Sequence, residues 1–157
     1  SNVITYHSNT YNIANLLPKT DLLIGGVLVP GSTAPKIISK EMLTSMKPGS
    51  VAVDVAVDQG GCIETTRPTT HMNPIYEVGG IIHYCVANMP GAVPKTSTIS
   101  LTNSTSSYII DLLKEDFSTG KIKSSSIATG INIYRGEITH KGLAKSFDMS
   151  FKNIEKA

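Results

Sequence analysis

The stretch Ser50–Gly61, SVAVDVAVDQGG, decides the fold. Small apolar residues dominate its first eight positions, and the run then stops at an acid, an amide and two glycines. The stretch predicts a strand, and the apolar run Asp21–Gly31 before it, which lacks period-2 alternation, is typical of a parallel strand that is covered on both faces. Asp54 and Asp58 are predicted to lie on the same face of one strand, four residues and therefore roughly 13 Å apart, at ~3.3 Å per residue. That separation is too large for a shared metal ion or proton, so the two acids should have different roles.

The position of each acid suggests its role. Ligands of an open parallel sheet bind beyond the carboxyl ends of the strands, and Asp58 lies at such an end. An Asp there either caps a turn or acts as a base or orients a water, with the two glycines allowing close approach. Asp54 lies deeper in the strand, and we expect it to bind nearby backbone or hydroxyl groups.

Strands and helices alternate on both sides of this stretch. Apolar runs without helical period predict further strands at Val3–Tyr6, Asp21–Gly31 and Ile81–Met89. Helices are predicted for NIANLL, ending at Pro18, and for residues 34–49. The apolar residues that share one face of the second helix are Ile37, Ile38, Met42, Leu43 and Met46. The alternation predicts an α/β fold with a parallel sheet, flanking helices and right-handed crossovers.

The remaining segments have less regular patterns. Residues 58–80 predict an irregular connection over the carboxyl edge, with a short helical turn near NPIYEV. A long helix is predicted from Lys95 to Phe117, although Ser and Thr are mediocre helix formers. The pattern then predicts a small hairpin turning at Arg135-Gly136 and a short helix in HKGLAKSF. The apolar stripe predicted on the long helix comprises Leu101, Tyr108, Ile109 and Leu112.

Composition excludes several classes of function. The 157 residues are 40% hydrophobic and 17% charged, with a net charge of +2 and no basic run. This argues against a nucleic-acid partner, and sparse aromatic residues argue against a stacking platform for single strands. Apolar runs are too short for a bilayer, and no signal peptide is visible. We therefore predict a cytoplasmic protein with no membrane partner, no metal site and two free thiols, Cys62 and Cys85.

Two long blocks resemble the alanine dehydrogenase family, which is related to the nicotinamide-binding subunit of proton-translocating transhydrogenase. They are MKPGSVAVDVAVDQGGCIETTRPTT and HYCVANMPGAVPKTSTISLTN, and VLVPGSTAPKIIS and the tail SIATGINIYRGEITHKGLA fit the same family. The tail favours the alanine enzymes over a transhydrogenase subunit. The resemblance implies that residues 1–94 form the C-terminal half of an NAD-binding Rossmann domain. Residues 95–157 would be a long connecting helix and the returning C-terminal part of the substrate domain.

The resemblance also implies a reaction and roles for matching residues. The family converts L-alanine, NAD and water to pyruvate, ammonia and NADH, and Asp58 would be the catalytic residue that handles the water. Ser8 would lie near the adenine end of the cofactor, and Val27 and Leu28 would pack on the dinucleotide. The residues implied on the nicotinamide side are Val55, Asp58, Val86, Asn88 and Met89.

Other residues whose side chains could bind a ligand are given structural or solvent-exposed roles. His83, inside a strand pattern, is predicted to be structural, and His71 and His140 to be solvated. No ligand role is predicted for His7. Lys95 and Thr96, at a helix start, either bind a cofactor phosphate or simply cap the helix.

Two hypotheses follow for the whole chain. No G-x-G-x-x-G phosphate loop occurs in it, nor the Arg, Lys and His with which the family binds its substrate. The first hypothesis is therefore a C-terminal part that is catalytic only with an N-terminal part, supplied in cis or in trans, within a homo-oligomer, a hexamer in the family. The second is a non-catalytic remnant or interaction module with weak nucleotide affinity.

Overall fold

The computed structural model describes residues 2–119 and 122–153. The chain forms two compact units. One consists of the residues up to Val29 together with Thr33–Met89, and the other of Pro30–Ser32 together with the residues from Pro90 onward. The predicted division at residues 94 and 95, and the assignment of the two parts to a cofactor domain and a substrate domain, stay predictions.

A four-stranded sheet organises the first unit. Its strands are β1 (Leu22–Gly25), β2 (Val51–Asp54), β3 (Ile75–Val78) and β4 (Ile81–Tyr84), in the spatial order β1-β2-β4-β3. The β1, β2 and β4 strands are parallel, and β3 pairs antiparallel with β4. The predicted α/β fold with a parallel sheet is confirmed, and the carboxyl ends of β1, β2 and β4 lie at one edge.

Two helices of the first unit precede the β1 and β2 strands. The α1 helix (Thr10–Leu16) continues into a 3-10 turn, Leu17–Lys19, which contains Pro18, close to the predicted helix end. The α2 helix spans only Lys40–Leu43, so the prediction of one helix over residues 34–49 was wrong. The reason is a competing backbone pairing: the N–H groups of Ile37 and Ile38 donate to the Cys62 carbonyl at 2.9 and 3.2 Å.

The predicted apolar face is nevertheless in the core. Ile38, Leu43 and Met46 are buried, and Ile37 and Met42 pack against the same cluster. The period of the apolar residues thus identified the buried side chains correctly, although only one turn of that segment is helical. The other members of the core cluster are Leu17, Ala34, Ala52, Ala56, Cys62, Ile63 and Ile81.

The predicted strands are shorter in the structure. Val3–Tyr6 forms no strand, and Ile4 is 77% exposed there, so no burial of apolar surface favours pairing. The β1 strand ends at Gly25 instead of continuing to Gly31. The β2 strand ends at Asp54, and a 3-10 turn, Val57–Gln59, follows. Asp54 and Asp58 therefore do not share one strand, and the sequence-based separation along a strand does not apply to them.

A hairpin replaces the helical turn predicted near NPIYEV. Ile75–Val78 is the β3 strand, and it returns through Gly79-Gly80 into β4. Both glycines have positive φ, 61° and 83°, as a two-residue hairpin loop with matching twist requires. The signal was present in the sequence, because β-branched and aromatic residues followed by Gly-Gly predict a hairpin.

The second unit contains helices and a small hairpin. The long helix α3 (Pro94–Leu113) is confirmed, but it ends before the predicted Phe117, and its predicted apolar stripe is exposed. The predicted hairpin is confirmed as β5 (Ile133–Tyr134) and β6 (Glu137–Ile138), and the last helix as α5 (Lys141–Ser146). A further helix, α4 (Ser125–Gly130), was not predicted. In the described part of the chain, no helix combines the length and the apolar character that crossing a membrane would take.

Candidate active site

Asp54 sits fully buried at the end of β2 and organises the loop that follows. Its Oδ2 accepts hydrogen bonds from the N–H groups of Cys62 and Ile63 at 2.8 and 3.1 Å, and from the Thr66 hydroxyl at 2.7 Å. Its Oδ1 accepts from the Ala56 N–H at 3.0 Å. Backbone and hydroxyl donors thus satisfy the carboxylate, as the sequence predicted.

The two glycines that end the opening stretch close this loop. Gly60 and Gly61 have φ of 93° and 76°, a region that L-residues with a side chain rarely adopt. A Cβ at Gly61 would lie 2.8 Å from Asp54 Oδ2 and 2.7 Å from Thr66 Cγ2. The chain can therefore turn the N–H groups of Cys62 and Ile63 back onto Asp54 only if position 61 carries no side chain.

A lysine holds the same loop from its outer side. Lys36 Nζ donates to the carbonyl oxygens of Gly60 and Ile63 at 2.5 and 3.2 Å. The Ala34 N–H also donates to the Gln59 carbonyl at 2.8 Å. The segment that contains Ala34 and Lys36 therefore holds the turn that carries Asp58 through its backbone carbonyls.

Asp58 is exposed on this turn, next to the buried Val57. Its Oδ2 accepts a hydrogen bond from the Asn88 N–H at 3.2 Å. Asn88 has a φ of 54°, and its carbonyl lies 3.0 Å from His71 Nε2. The structure thus brings Asp58 and Asn88 together. It adds His71, which is exposed, as predicted, but also contacts Asn88.

Apolar side chains lie exposed where β1 and β2 end. Gly25 pairs with Asp54 across the two strands, and the Val55 N–H donates to the Gly25 carbonyl at 2.8 Å. Val55 is 54% exposed and Leu28 is 65% exposed, while Val27 packs partly into the core. An exposed apolar surface, with the carboxylate of Asp58 three residues beyond Val55, fits one end of a dinucleotide, which needs a face for a planar ring and a polar group for chemistry. The side chains present therefore fit the cofactor that the resemblance implies.

The remaining predicted site residues, Val86, Met89 and Ser8, each lie in a different environment. Val86 is fully buried beyond the end of β4 and presents no surface to a ligand. Met89 is half-buried and begins the 3-10 turn Met89–Ala92. Ser8 is exposed in the irregular segment before α1, and among the hydrogen bonds of the described residues none joins it to the carboxyl edge.

The buried His83 in β4 has partners that give it a structural role. His83 is buried and stacks on Tyr76, with Nε2 2.8 Å from Thr65 Oγ1 and Nδ1 2.9 Å from the Ile81 carbonyl. Because a carbonyl only accepts, Nδ1 carries the proton. This matches the structural role predicted for His83. Burial raises the pKa of Tyr76 to about 12.

The two thiols are also buried. Burial, followed by the charge of Asp54, raises the pKa of Cys62, and burial is likewise the main cause that raises the pKa of Cys85. Within residues 2–119 and 122–153, His, Cys, Asp and Glu side chains form no group of three or more that could hold a metal ion.

Sequence reasoning missed three contributors to the site. Lys36, Thr66 and His71 all act through contacts that span 12 to 27 residues. Nothing in the local pattern marks any of them. For His71 the nearest signal is its place within the long connection over the carboxyl edge.

Comparisons with known proteins give a consistent result. The family described as "Alanine dehydrogenase/PNT, C-terminal domain" matches residues 1–141. The chain is 49% identical to alanine dehydrogenase from Methanococcus maripaludis over 156 residues, and 46% identical to that from Halomonas elongata over 147 residues. These matches cover 99% and 94% of the chain, but only 42% and 40% of the relatives.

Solved structures agree with the sequence comparisons. An L-alanine dehydrogenase superposes with a TM-score of 0.71 at 44% identity, covering 90% of this chain and 39% of the other. A transhydrogenase from Sinorhizobium meliloti gives a TM-score of 0.53 at 36% identity, covering 59% of this chain and 26% of the other. The chain therefore corresponds to less than half of the length of each.

Proposed function

We propose, since the chain belongs to the alanine dehydrogenase/PNT C-terminal domain family, that it is the C-terminal part of an NAD-dependent L-alanine dehydrogenase. The complete enzyme would convert L-alanine, NAD and water to pyruvate, ammonia and NADH. The observation that carries this proposal is Asp58, an exposed carboxylate in the turn that follows β2, whose Oδ2 accepts a hydrogen bond from the Asn88 N–H at 3.2 Å.

Asp58 supplies the acid–base chemistry in this proposal. Val27, Leu28 and Val55 would hold NAD, which would supply the hydride acceptor for the α-carbon of the amino acid. Asp58 would orient a water and take one of its protons as the water oxygen bonds to the imine carbon. It would then return that proton to the nitrogen and take the hydroxyl proton as the C–N bond breaks, so that pyruvate forms and ammonia leaves. Because the Asn88 N–H contacts Oδ2, Oδ1 is the oxygen that we assign to the proton.

The same edge provides the groups that would hold the cofactor. Val27, Leu28 and Val55 would offer the apolar surface on which the dinucleotide packs. Asn88, whose N–H contacts Asp58, and the next residue, Met89, would face the nicotinamide. Val86 would act by packing beneath this surface, since it is fully buried. Ser8 would contact the adenine end.

A partner segment completes the enzyme in this proposal. The chain spans about two fifths of the relatives' length, and we propose that substrate-binding groups and the phosphate loop come from an N-terminal part. The 157 residues alone should then show no alanine dehydrogenase activity. The complete protein is proposed to be a cytoplasmic homo-oligomer, and light scattering of the completed protein would check the oligomer.

The test is a fusion that places the N-terminal part of the Halomonas elongata enzyme ahead of this chain. NADH oxidation that depends on pyruvate and ammonia should appear in the fusion and not in the chain alone. Asp58→Asn should lower kcat by ~10²–10⁴-fold, the usual contribution of an acid–base group, while NADH binding is retained. Asp21→Asn is the matched control, because the Asp21 side chain forms an exposed ion pair with Lys47 on the surface.

Three results would contradict the proposal. A wild-type fusion that folds, binds NADH and stays inactive would favour the non-catalytic module. Retained activity in Asp58→Asn would remove the role assigned to that carboxylate. Activity of the unfused chain would contradict the need for a partner segment.

A further inference from the structure

His71 lies in a turn that the structure fixes tightly. Thr69 pairs with Val86, because the Thr69 N–H donates to the Cys85 carbonyl at 2.9 Å and its own carbonyl accepts from the Ala87 N–H at 3.0 Å. The Thr69 hydroxyl donates to the Pro74 carbonyl at 2.9 Å, which closes the turn from the other side. His71 follows Thr69 by two residues, just as Asn88 follows Val86, so this pairing sets the two side by side.

Asn88 uses both of its backbone polar groups at this point. Its N–H donates to Asp58 Oδ2 at 3.2 Å, and its carbonyl lies 3.0 Å from His71 Nε2. The carbonyl can only accept, so Nε2 carries the proton and donates it. The φ of 54° at Asn88 lies in the left-handed region, which Asn adopts more readily than most residues with a side chain. The two hydrogen bonds therefore fix a conformation that the residue type already permits.

We propose that His71 is a positioning residue for Asp58. Its Nε2–H holds the Asn88 peptide in the left-handed conformation, and the N–H of Asn88 in turn holds the Asp58 carboxylate. In this proposal His71 acts only through Asn88 and Asp58, and we assign it no contact with the reacting atoms or the cofactor. Its effect on turnover rests on the function proposed above, whereas its effect on the Asn88 N–H does not.

Three variants separate this role from a general effect on folding. His71→Leu removes the donor, and His71→Gln replaces it with an amide N–H of similar reach. Met72→Ala is the matched control, because Met72 is the next residue, is 91% exposed and has no role in the site. Thermal unfolding of all three should stay close to that of the wild type, because His71 is itself exposed.

Hydrogen–deuterium exchange of the 157-residue chain, read by mass spectrometry, is the first measurement. The peptide that contains Ala87 and Asn88 should exchange roughly five to ten times faster in His71→Leu, as expected when one hydrogen bond is lost. His71→Gln should restore most of the protection, and Met72→Ala should leave it unchanged. Unchanged exchange in His71→Leu would overturn the proposal.

Turnover of the fusion protein is the second measurement. His71→Leu should lower kcat about tenfold with little change in KM, because a misplaced catalytic group affects the chemical step. In an Asp58→Asn background the same change should have almost no further effect, since His71 acts through Asp58. An equal loss in both backgrounds would overturn the proposal. If the wild-type fusion is inactive, the proposed function fails and the exchange measurement alone decides for or against His71.

Discussion

Asp54→Asn should destabilise the first unit by about 3 kcal/mol. The best placement of the amide keeps its oxygen at Oδ2, facing the donors of Cys62, Ile63 and Thr66. These three bonds then lose their charge assistance, at about 1 kcal/mol each. The NH₂ group faces the Ala56 N–H and leaves one buried donor unsatisfied, at about 2 kcal/mol. Burying a neutral amide costs less free energy than burying a carboxylate, and this difference offsets about 2 kcal/mol of the destabilisation.

Urea unfolding at pH 7, followed by far-UV circular dichroism, measures this loss. With a slope of about 2 kcal/mol per molar urea, the midpoint should fall by about 1.5 M. Asp21→Asn is again the matched control: the Asp21–Lys47 pair is 3.2 Å long and exposed, and such pairs contribute about 0–1 kcal/mol. If Asp54→Asn shifts the midpoint no further than Asp21→Asn, the bonds around the carboxylate do not stabilise the loop as argued.

The raised pKa values of Cys62, Cys85 and Tyr76 lead to two further predictions. Cys62 and Cys85 are buried with raised pKa, so the native chain should react at least ~100-fold more slowly with a thiol reagent than the chain in urea; fast labelling of either native thiol would contradict this. Because these thiols and Tyr76 have a higher pKa in the folded state, the unfolded state loses its protons first, so stability should be full below about pH 8.5 and decline above it. Urea midpoints at pH 7.5 and pH 10 check the sign, and an equal or higher midpoint at pH 10 would refute it.

The sequence predicted the parts of the fold that depend on local pattern. The apolar stretch around Ala52 indicated a buried parallel strand, and the Arg135-Gly136 turn and α5 were located correctly. The core face of residues 37–46 was also correct, because burial follows the apolar period even where the backbone is not helical.

The errors arose where tertiary contacts override local preference. The pairing of Ile38 with Ile63 replaces the start of the predicted helix. The end of β2 at Asp54 depends on donors up to twelve residues further along the chain. At the candidate site, Asp58 was singled out by its place at the end of the apolar stretch, and Asn88 through the resemblance. The contact of His71 with Asn88 spans 17 residues and has no local signature.

The short contacts around Asp54 also imply an order in which the parts of the site form. Its contacts reach 2, 8, 9 and 12 residues along the chain, so closing it costs less chain entropy than pairing β2 with β4, where Val51 meets Ile82. During synthesis, every group that shapes the turn has been made once Thr66 is added, well before Asn88. During synthesis, the loop that carries Asp58 can therefore form first, and the Asn88 peptide that bonds to Asp58 is added later.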